Sequence, residues 1–116
     1  MVCLGNICRS PLAEGVLKSK LSSNHFHIDS AATASFHIGK SPDYRSIKVA
    51  DDHGIDVSLQ KARAFKLEDF NLFDKIYVMD RNNLKIIKQL AETPEQRDRV
   101  SLILENVEVP DPYYGD

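Results

Sequence analysis

Apolar residues in the first quarter of the chain recur with two different spacings. After the pair Ser10-Pro11, an apolar face at helical spacing extends to about residue 22 and is formed by Leu12, Ala13, Val16, Leu17 and Leu21. Ser10 is a residue type that caps helices, and Pro11 suits the first helical position. Phe26 and Ile28 alternate with polar neighbours, which predicts a strand that enters a loop of small residues at 30–35.

The rest of the chain continues this alternation of helices and strands. Ser41-Pro42 predicts the start of a second helix, which Gly54 ends. The clearest strand is 75–79, and Asp80 is the predicted N-cap of the helix after it. Residues 93–96 have the spacing of a capping box and predict one short extra turn. The continuous apolar run 100–104 predicts a strand buried on both faces.

This order of elements predicts an α/β fold. Strands that alternate with helices favour a parallel sheet with helices packed on both of its faces. A length of 116 residues corresponds to one domain. An apolar share of 42% and a charged share of 28% are typical of a globular chain.

Charge, hydropathy and cysteine content exclude several functional classes. A net charge of −2 argues against a dedicated nucleic-acid binder, and no apolar run is long enough to span a membrane. The amino terminus lacks the apolar region of a signal peptide. Two cysteines cannot form a disulfide framework, so we expect a protein of the reducing cytoplasm.

The most informative segment is Cys3-Leu4-Gly5-Asn6-Ile7-Cys8-Arg9-Ser10. A short loop between a strand and a helix N-terminus can present successive backbone N–H groups to an anion. We expect Gly5 to provide a left-handed backbone, Asn6 to hold the loop shape and Arg9 to bind two phosphate oxygens through its guanidinium. Cys3 would face the phosphorus as a thiolate, with Ser10 as a hydrogen-bond donor to it. Nucleophilic attack on a phosphate ester is the chemistry that this pattern favours.

A candidate general acid lies near the other end of the chain. Phenol leaving groups need a proton in the transition state, and Asp111 lies between Pro110 and Pro112 in a stiff, exposed segment. Taken alone, such a segment is more often only a turn. Tyr113 and Tyr114 follow it, and exposed aromatic side chains often line a binding surface.

These segments resemble the low-molecular-weight protein tyrosine phosphatases. The resemblance also covers 28–33, Ile38-Gly39, 42–45, 53–55, Met79-Asp80 and 111–115, in the order of that family. It implies a three-layer α/β/α fold of the flavodoxin-like type with a four-stranded parallel sheet. It also implies metal-free, two-step hydrolysis of phosphotyrosine or aryl phosphates. The family has a longer first strand and a C-terminal helix, so we expect residues 1–116 to be one domain that lacks most of the former and all of the latter.

The resemblance implies a role for each matching residue. Cys3 becomes the phosphocysteine, Arg9 and the loop 4–10 bind the phosphate oxygens, and Asp111 serves as acid and then as base. Asn6, Ser10 and Ser30 support the loop, and Cys8 forms a reversible disulfide with Cys3 on oxidation. The substrate groove is implied to consist of Leu4, Ile7, Phe36, His37, Tyr113 and Tyr114.

Three other interpretations remain. An arsenate reductase on the same scaffold would need more cysteines than Cys8 to pass a disulfide on, and a phosphocysteine carrier would not need Asp111. A non-catalytic phosphate-binding module would not need Asp111 either. His25 and His27 face the same side of a predicted strand, but no acidic or cysteine partner is placed near them, so we expect neither a metal nor another cofactor. We expect inorganic phosphate or other oxyanions to bind the loop, no membrane or nucleic-acid partner, and a monomer or weak dimer.

Overall fold

The computed structural model describes residues 1–22, 24–35, 37–104 and 108. Its sheet contains four parallel strands in the order β2-β1-β3-β4. The strands are β1 (Val2–Cys3), β2 (Ala31–Ala32), β3 (Ile76–Val78) and β4 (Val100–Leu102). The helices are α1 (Arg9–Lys20), α2 (Tyr44–Asp52), α3 (Asp69–Leu72), α4 (Arg81–Leu90) and α5 (Pro94–Asp98). The three-layer α/β fold predicted from the sequence is confirmed.

The strand registers bring the carboxyl end of β1 to the centre of the sheet. Val2 pairs with Ala31 on one side and with Val78 on the other. Parallel α/β sheets place their ligand sites at the carboxyl ends of central strands. The loop after Cys3 therefore begins where this architecture favours a site.

The larger apolar cluster of the described residues includes side chains of β3 and β4 and packs against Val2 of β1. Phe70, Val78 and Ile87 are fully buried, and the ring of Phe70 meets that of Phe65 edge to face at a centroid distance of 5.1 Å. We call the following residues the apolar core: Val2, Phe70, Ile76, Val78, Ile87, Ala91, Val100 and Leu102.

Several predicted helix boundaries are confirmed. Asp80 is the N-cap of α4 and accepts the Asn83 N–H at 2.8 Å. The Thr93 hydroxyl accepts the Gln96 N–H at 3.1 Å at the start of α5. Gly54, with a positive φ of 74°, follows α2 as predicted. Local capping patterns were therefore good guides to helix ends.

The start of α2 differs from the prediction. The helix begins at Tyr44, and its N-cap is Asp43, whose carboxylate accepts the Arg45 N–H at 2.9 Å. Ser41, the predicted first residue, lies outside the helix, and its hydroxyl accepts a hydrogen bond from Lys61 Nζ at 3.2 Å. Of the two residues that could cap this helix, Asp43, which directly precedes it, is the N-cap.

The predictions for α1 were wrong in two respects. Its N-cap is Cys8 rather than Ser10, so Ser10 lies in the first turn with its hydroxyl directed towards the loop. Its buried face is not the apolar series from the sequence, because Val16 is 40% exposed while Glu14 and Gly15 are buried. A Cβ atom added at Gly15 would lie 2.5 Å from Val57, so glycine allows a close approach here.

Two strand predictions were also wrong. Phe26 is half-exposed and residues 24–30 form no strand; β2 is confined to Ala31–Ala32. The run 100–104 forms only the three-residue β4, in which Ser101 faces solvent. The face of β4 that carries Ser101 is therefore not covered, whereas Val100 and Leu102 are buried on the other face.

Candidate active site

The loop that joins β1 to α1 encloses the sulfur of Cys3. Asn6 N–H donates to Cys3 Sγ at 3.2 Å, and the Ser10 hydroxyl lies 3.1 Å from the same atom. Cys3 and Ser10 are both buried. A backbone N–H and a hydroxyl therefore converge on one buried sulfur.

The loop turns at Asn6 rather than at Gly5. Asn6 has a φ of 58°, whereas the φ of Gly5 is not positive, so the predicted left-handed glycine was wrong. A Cβ atom added at Gly5 would lie 2.7 Å from Cδ2 of His37, so a larger residue there would have to displace this ring. The His37 ring therefore packs directly on the loop backbone. Asparagine adopts the left-handed region more readily than most residues.

The side chain of Asn6 is the centre of a buried hydrogen-bond network. Its Nδ2 donates to Ser10 Oγ at 2.7 Å and to Ser30 Oγ at 2.9 Å, and Ser30 donates to Glu14 Oε1 at 2.5 Å. Its Oδ1 accepts the backbone N–H of Arg63 at 3.1 Å. We call Asn6, Ser10, Glu14 and Ser30 the polar shell.

These contacts leave the hydroxyl proton of Ser10 available for Cys3. The Arg63 N–H can only donate, so it holds Oδ1 of Asn6 on its own side and turns Nδ2 towards the two serines. Ser10 Oγ receives one of these protons, which leaves its single hydroxyl proton for Cys3 Sγ. The network therefore favours Ser10 as the donor to the sulfur.

The guanidinium of Arg9 is held by the N-cap of another helix. Arg9 Nη1 donates to Asp80 Oδ2 at 2.8 Å, and Asp80 Oδ1 accepts the Asn83 N–H that begins α4. Arg9 is buried, and this contact orients its planar set of donors beside the loop. The sequence predicted Asp80 as a helix cap, but nothing in it indicated the pairing with Arg9.

Arg63 forms a second charged cluster behind the polar shell. Its Nε donates to Asp29 at 3.0 Å, and its two terminal nitrogens donate to Asp69 at 3.0 and 3.2 Å. Burial opposes the charge on Arg63, but the hydrogen bonds and charges of Asp69 and Asp29 outweigh it and raise the pKa of the guanidinium. We call Arg63, Asp29 and Asp69 the Arg63 hub; sequence analysis did not identify it.

Some of the remaining predicted site residues lie at the loop, and others lie outside the described residues. Leu4 is half-buried at the loop, and Ile7 and Cys8 are buried together with Ala62. His37 lies against Gly5, as described above. Phe36, Asp111, Tyr113 and Tyr114 lie outside the described residues. Within residues 1–22, 24–35, 37–104 and 108, no group of three or more histidine, cysteine or acidic side chains could hold a metal ion.

A cavity of about 400 Å³ lies away from the loop. It is lined mainly by apolar side chains at the amino-terminal ends of β1 and β3, including Val2, Phe73 and Ile76. No residue of the loop 3–10 contributes to it. This cavity therefore does not contain the reactive groups of the loop.

A sequence model of the family described as low molecular weight phosphotyrosine protein phosphatase matches residues 1–116. The chain belongs to this family. A member from Dictyostelium discoideum is 37% identical, with 99% of this chain and 78% of the relative covered. A human member is 38% identical over the same shares of the two chains. In the part of the chain that the structure describes, no helix is long and apolar enough to cross a membrane.

Solved structures of similar proteins support the same assignment. A protein tyrosine phosphatase from Entamoeba histolytica, with Hepes in its active site, has a TM-score of 0.86 and 36% identity, covering 99% of this chain and 79% of its own. Vibrio vulnificus Wzb in complex with benzylphosphonate has a TM-score of 0.87 and 32% identity, covering 99% and 80%. Family membership is thus established independently by sequence and by fold.

Proposed function

We propose that this chain hydrolyses phosphotyrosine and other aryl phosphate monoesters through a phosphocysteine intermediate on Cys3. The observation that carries the proposal is the convergence of the Asn6 N–H and the Ser10 hydroxyl on Cys3 Sγ, at 3.2 and 3.1 Å. A binding module for phosphate needs no activated sulfur at its centre, whereas a covalent phosphatase does. Membership in the phosphotyrosine protein phosphatase family supports the substrate class.

In the first step, the Cys3 thiolate attacks phosphorus as the bond from phosphorus to the phenol oxygen breaks. Arg9, oriented by Asp80, and the amides of the loop 4–10 bind the non-bridging oxygens and stabilise their charge in the transition state. Asp111 gives its proton to the departing phenol oxygen. Asp111 lies outside the described residues, so its role is supported by its place between Pro110 and Pro112 and by the family resemblance.

In the second step, a water molecule attacks the phosphocysteine. Asp111, now a carboxylate, takes a proton from this water, and the bond from sulfur to phosphorus breaks. Inorganic phosphate leaves and Cys3 returns to the thiolate, to which Ser10 donates a hydrogen bond. The reaction therefore needs neither a metal nor another cofactor to balance.

Residues around the loop are proposed to contact the substrate, and the two cysteines are proposed to respond to oxidation. Leu4, His37, Phe36, Tyr113 and Tyr114 are proposed to border the groove for the aromatic ring, with Ile7 supporting the loop from beneath. Hepes and benzylphosphonate occur with two proteins of similar structure, so inorganic phosphate and phosphonates should compete with substrate here. Neither Cys3 nor Cys8 is in a disulfide in the part of the chain that the structure describes, which suits a reducing cytoplasm and a reversible disulfide between them.

The test is hydrolysis of p-nitrophenyl phosphate in the presence of EDTA. Cys3→Ser should reduce kcat by about 10⁴-fold or more, because the nucleophile is lost, while phosphate binding remains. Cys8→Ser is the matched control, since it alters the other buried cysteine of the same loop and should retain turnover. Turnover that survives Cys3→Ser contradicts the proposal, and a folded, reduced protein without turnover favours the binding module.

The same assay tests Asp111. Asp111→Asn should slow the hydrolysis of aryl phosphates by about 10²–10⁴-fold, the usual contribution of a positioned general acid. The loss should be smallest for phenols that leave readily, because they need the proton least. An equal loss across leaving groups would contradict the role as general acid.

A further inference from the structure

We infer that the Arg63 hub is a positioning device that directs the hydrogen bond of Ser10 at Cys3. The inference rests on the proposed role of Cys3, but it concerns residues behind the loop that contact neither the sulfur nor a bound phosphate. Its basis is that one guanidinium fixes two of the three groups that orient the side-chain amide of Asn6.

The first of these groups is the backbone N–H of Arg63 itself. It donates to Asn6 Oδ1 at 3.1 Å and determines which end of the amide faces the serines. Arg63 lies in an irregular segment that runs beside β2 at an isolated bridge between Ala32 and Ala64, where the Arg63 carbonyl accepts the Ala32 N–H at 2.7 Å. The Ala62 carbonyl, which shares a peptide group with the Arg63 N–H, accepts the Gly39 N–H at 2.7 Å. The backbone therefore supports the direction of this N–H, and the side chain supplies a second anchor.

That anchor is the bidentate pair with Asp69. Both terminal nitrogens of Arg63 contact this carboxylate, which is buried and lies in the first turn of α3. Asp69 Oδ2 also accepts the Lys66 N–H at 2.9 Å, so the carboxylate is itself fixed. A planar, two-point contact restrains the guanidinium in rotation as well as in position.

The second group is the hydroxyl of Ser30, which accepts the other proton of the Asn6 amide. Asp29 Oδ2 accepts from Arg63 Nε at 3.0 Å, and Asp29 Oδ1 accepts the N–H of Ser30 at 2.8 Å. The guanidinium thus reaches Ser30 through Asp29. Loss of the hub should loosen both sides of the Asn6 amide, so that Ser10 no longer donates exclusively to the sulfur.

Other charged groups adjoin this network, and the test leaves them unchanged. Glu14 accepts from Ser30 and from Lys18 Nζ at 2.7 Å, the Met1 ammonium donates to the carbonyl of Asp29, and Arg9 is paired with Asp80. None of these contacts is made by the Arg63 side chain. A change in hub variants can therefore be assigned to the hub.

The experiment measures the reactivity of Cys3 directly. In a Cys8→Ser background Cys3 is the only cysteine, and its alkylation by iodoacetamide is followed as a function of pH. Arg63→Lys keeps the positive charge but cannot contact both carboxylates, and Asp69→Asn keeps the shape but removes the charge. Both should move the midpoint of the alkylation curve upward by about one pH unit and lower kcat about tenfold.

Two comparisons distinguish positioning from a purely structural role. Arg45→Lys is the matched control, because Arg45 also contacts its carboxylate, Asp43, through two nitrogens but does not touch Asn6; it should leave the midpoint unchanged. In an Asn6→Gly background, which has no amide to orient, Arg63→Lys should no longer move the midpoint. A midpoint that stays at the parent value in the hub variants, with only the unfolding temperature lowered, overturns the inference.

The readout also separates this inference from the proposed function. Alkylation of Cys3 requires no turnover, so a shifted midpoint in a protein that does not hydrolyse p-nitrophenyl phosphate supports the hub and contradicts the function. Normal turnover of p-nitrophenyl phosphate with an unshifted midpoint in the hub variants supports the proposed function and contradicts the role of the Arg63 hub. If Arg63→Lys and Asp69→Asn fail to fold, Asp29→Asn at a partly exposed carboxylate provides the same test, with the same two outcomes.

Discussion

The polar shell around Cys3 and the apolar core beneath β3 and β4 are buried to similar degrees, yet they consist of opposite kinds of side chain. In the core, burial itself stabilises the fold, at about 25 cal/mol for each Å² of apolar surface removed from water. In the shell, burial is unfavourable for Asn6 and Glu14 unless every donor and acceptor is satisfied.

This difference predicts how each region responds to change. A truncated core side chain leaves a cavity and lowers stability without redirecting any functional group. A truncated shell side chain removes the restraint on a hydrogen-bond direction, which affects the sulfur of Cys3 more than the fold. The two regions should therefore separate stability from activity.

The largest expected effect is that of Phe70→Ala. Phe70 is fully buried and contacts Phe65, so the substitution should lower the free energy of unfolding by about 3–5 kcal/mol. The kcat of the molecules that remain folded should be unchanged, because Phe70 does not touch the polar shell. Urea unfolding and kcat at low temperature measure the two quantities.

Leu72→Ala is the control for this prediction. Leu72 lies in the same short helix as Phe70 but is 72% exposed, so its truncation should change stability by less than about 0.5 kcal/mol. Similar losses from Leu72→Ala and Phe70→Ala would mean that burial does not set the cost. A large fall in kcat with Phe70→Ala would mean that core and shell are not separate.

In the polar shell, substitution of Asn6 should lower kcat more than it lowers stability. Asn6→Gly removes the amide but permits the φ of 58°, so it should lower kcat by about 10²-fold while the fold is largely retained. Asn6→Ala removes the same hydrogen bonds and adds left-handed strain, which should lower stability by about a further 1 kcal/mol. Steady-state kinetics and thermal unfolding compare the two variants. Wild-type kcat in Asn6→Gly would show that the amide does not orient Ser10.

The same contrast explains which features could be predicted from the sequence. The loop from Cys3 to Ser10 and the caps at Asp80 and Thr93 depend on neighbours within a few residues, so their patterns are visible locally. The pairing of Arg9 with Asp80 and that of Asn6 with Arg63 join residues 71 and 57 positions apart. A single sequence contains no spacing that reveals such contacts.

The errors have physical causes of the same kind. The apolar series in α1 suggested a buried face, but the helix is held by Glu14 in the polar shell and by the close approach of Gly15 to Val57. Gly5 was assigned the left-handed turn because glycine adopts it most easily. The contact with His37 explains why glycine occupies position 5, and the hydrogen bonds of Asn6 hold the turn at position 6 instead.

The smallest expected effect is the loss of stability on substitution of Asp43, which adjoins the loop between β1 and α1. Asp43 caps α2, and its backbone N–H donates to the carbonyl of Ile7 at 2.7 Å. Hydrogen bonds from the Arg45 side chain hold the pKa of Asp43 below its ordinary value of 3.8, despite a small opposing effect of burial. Because the pKa of Asp43 is lower in the folded state than in the unfolded state, the ionised carboxylate stabilises the fold at pH values above its unfolded-state pKa. This contribution disappears as the pH falls through the folded-state pKa.

Asp43→Asn isolates that charge, because asparagine caps helices as well as aspartate does. The variant should lose less than about 1 kcal/mol at pH 7, and this deficit should vanish once acid has protonated Asp43 in the parent protein. Urea unfolding across pH 2–7 measures the difference. Asp43→Ala should lose about 1 kcal/mol more at every pH, because the cap is also removed. Since only the backbone of residue 43 contacts Ile7, kcat should be unchanged in both variants; a fall in kcat would extend the functional region beyond the polar shell into α2.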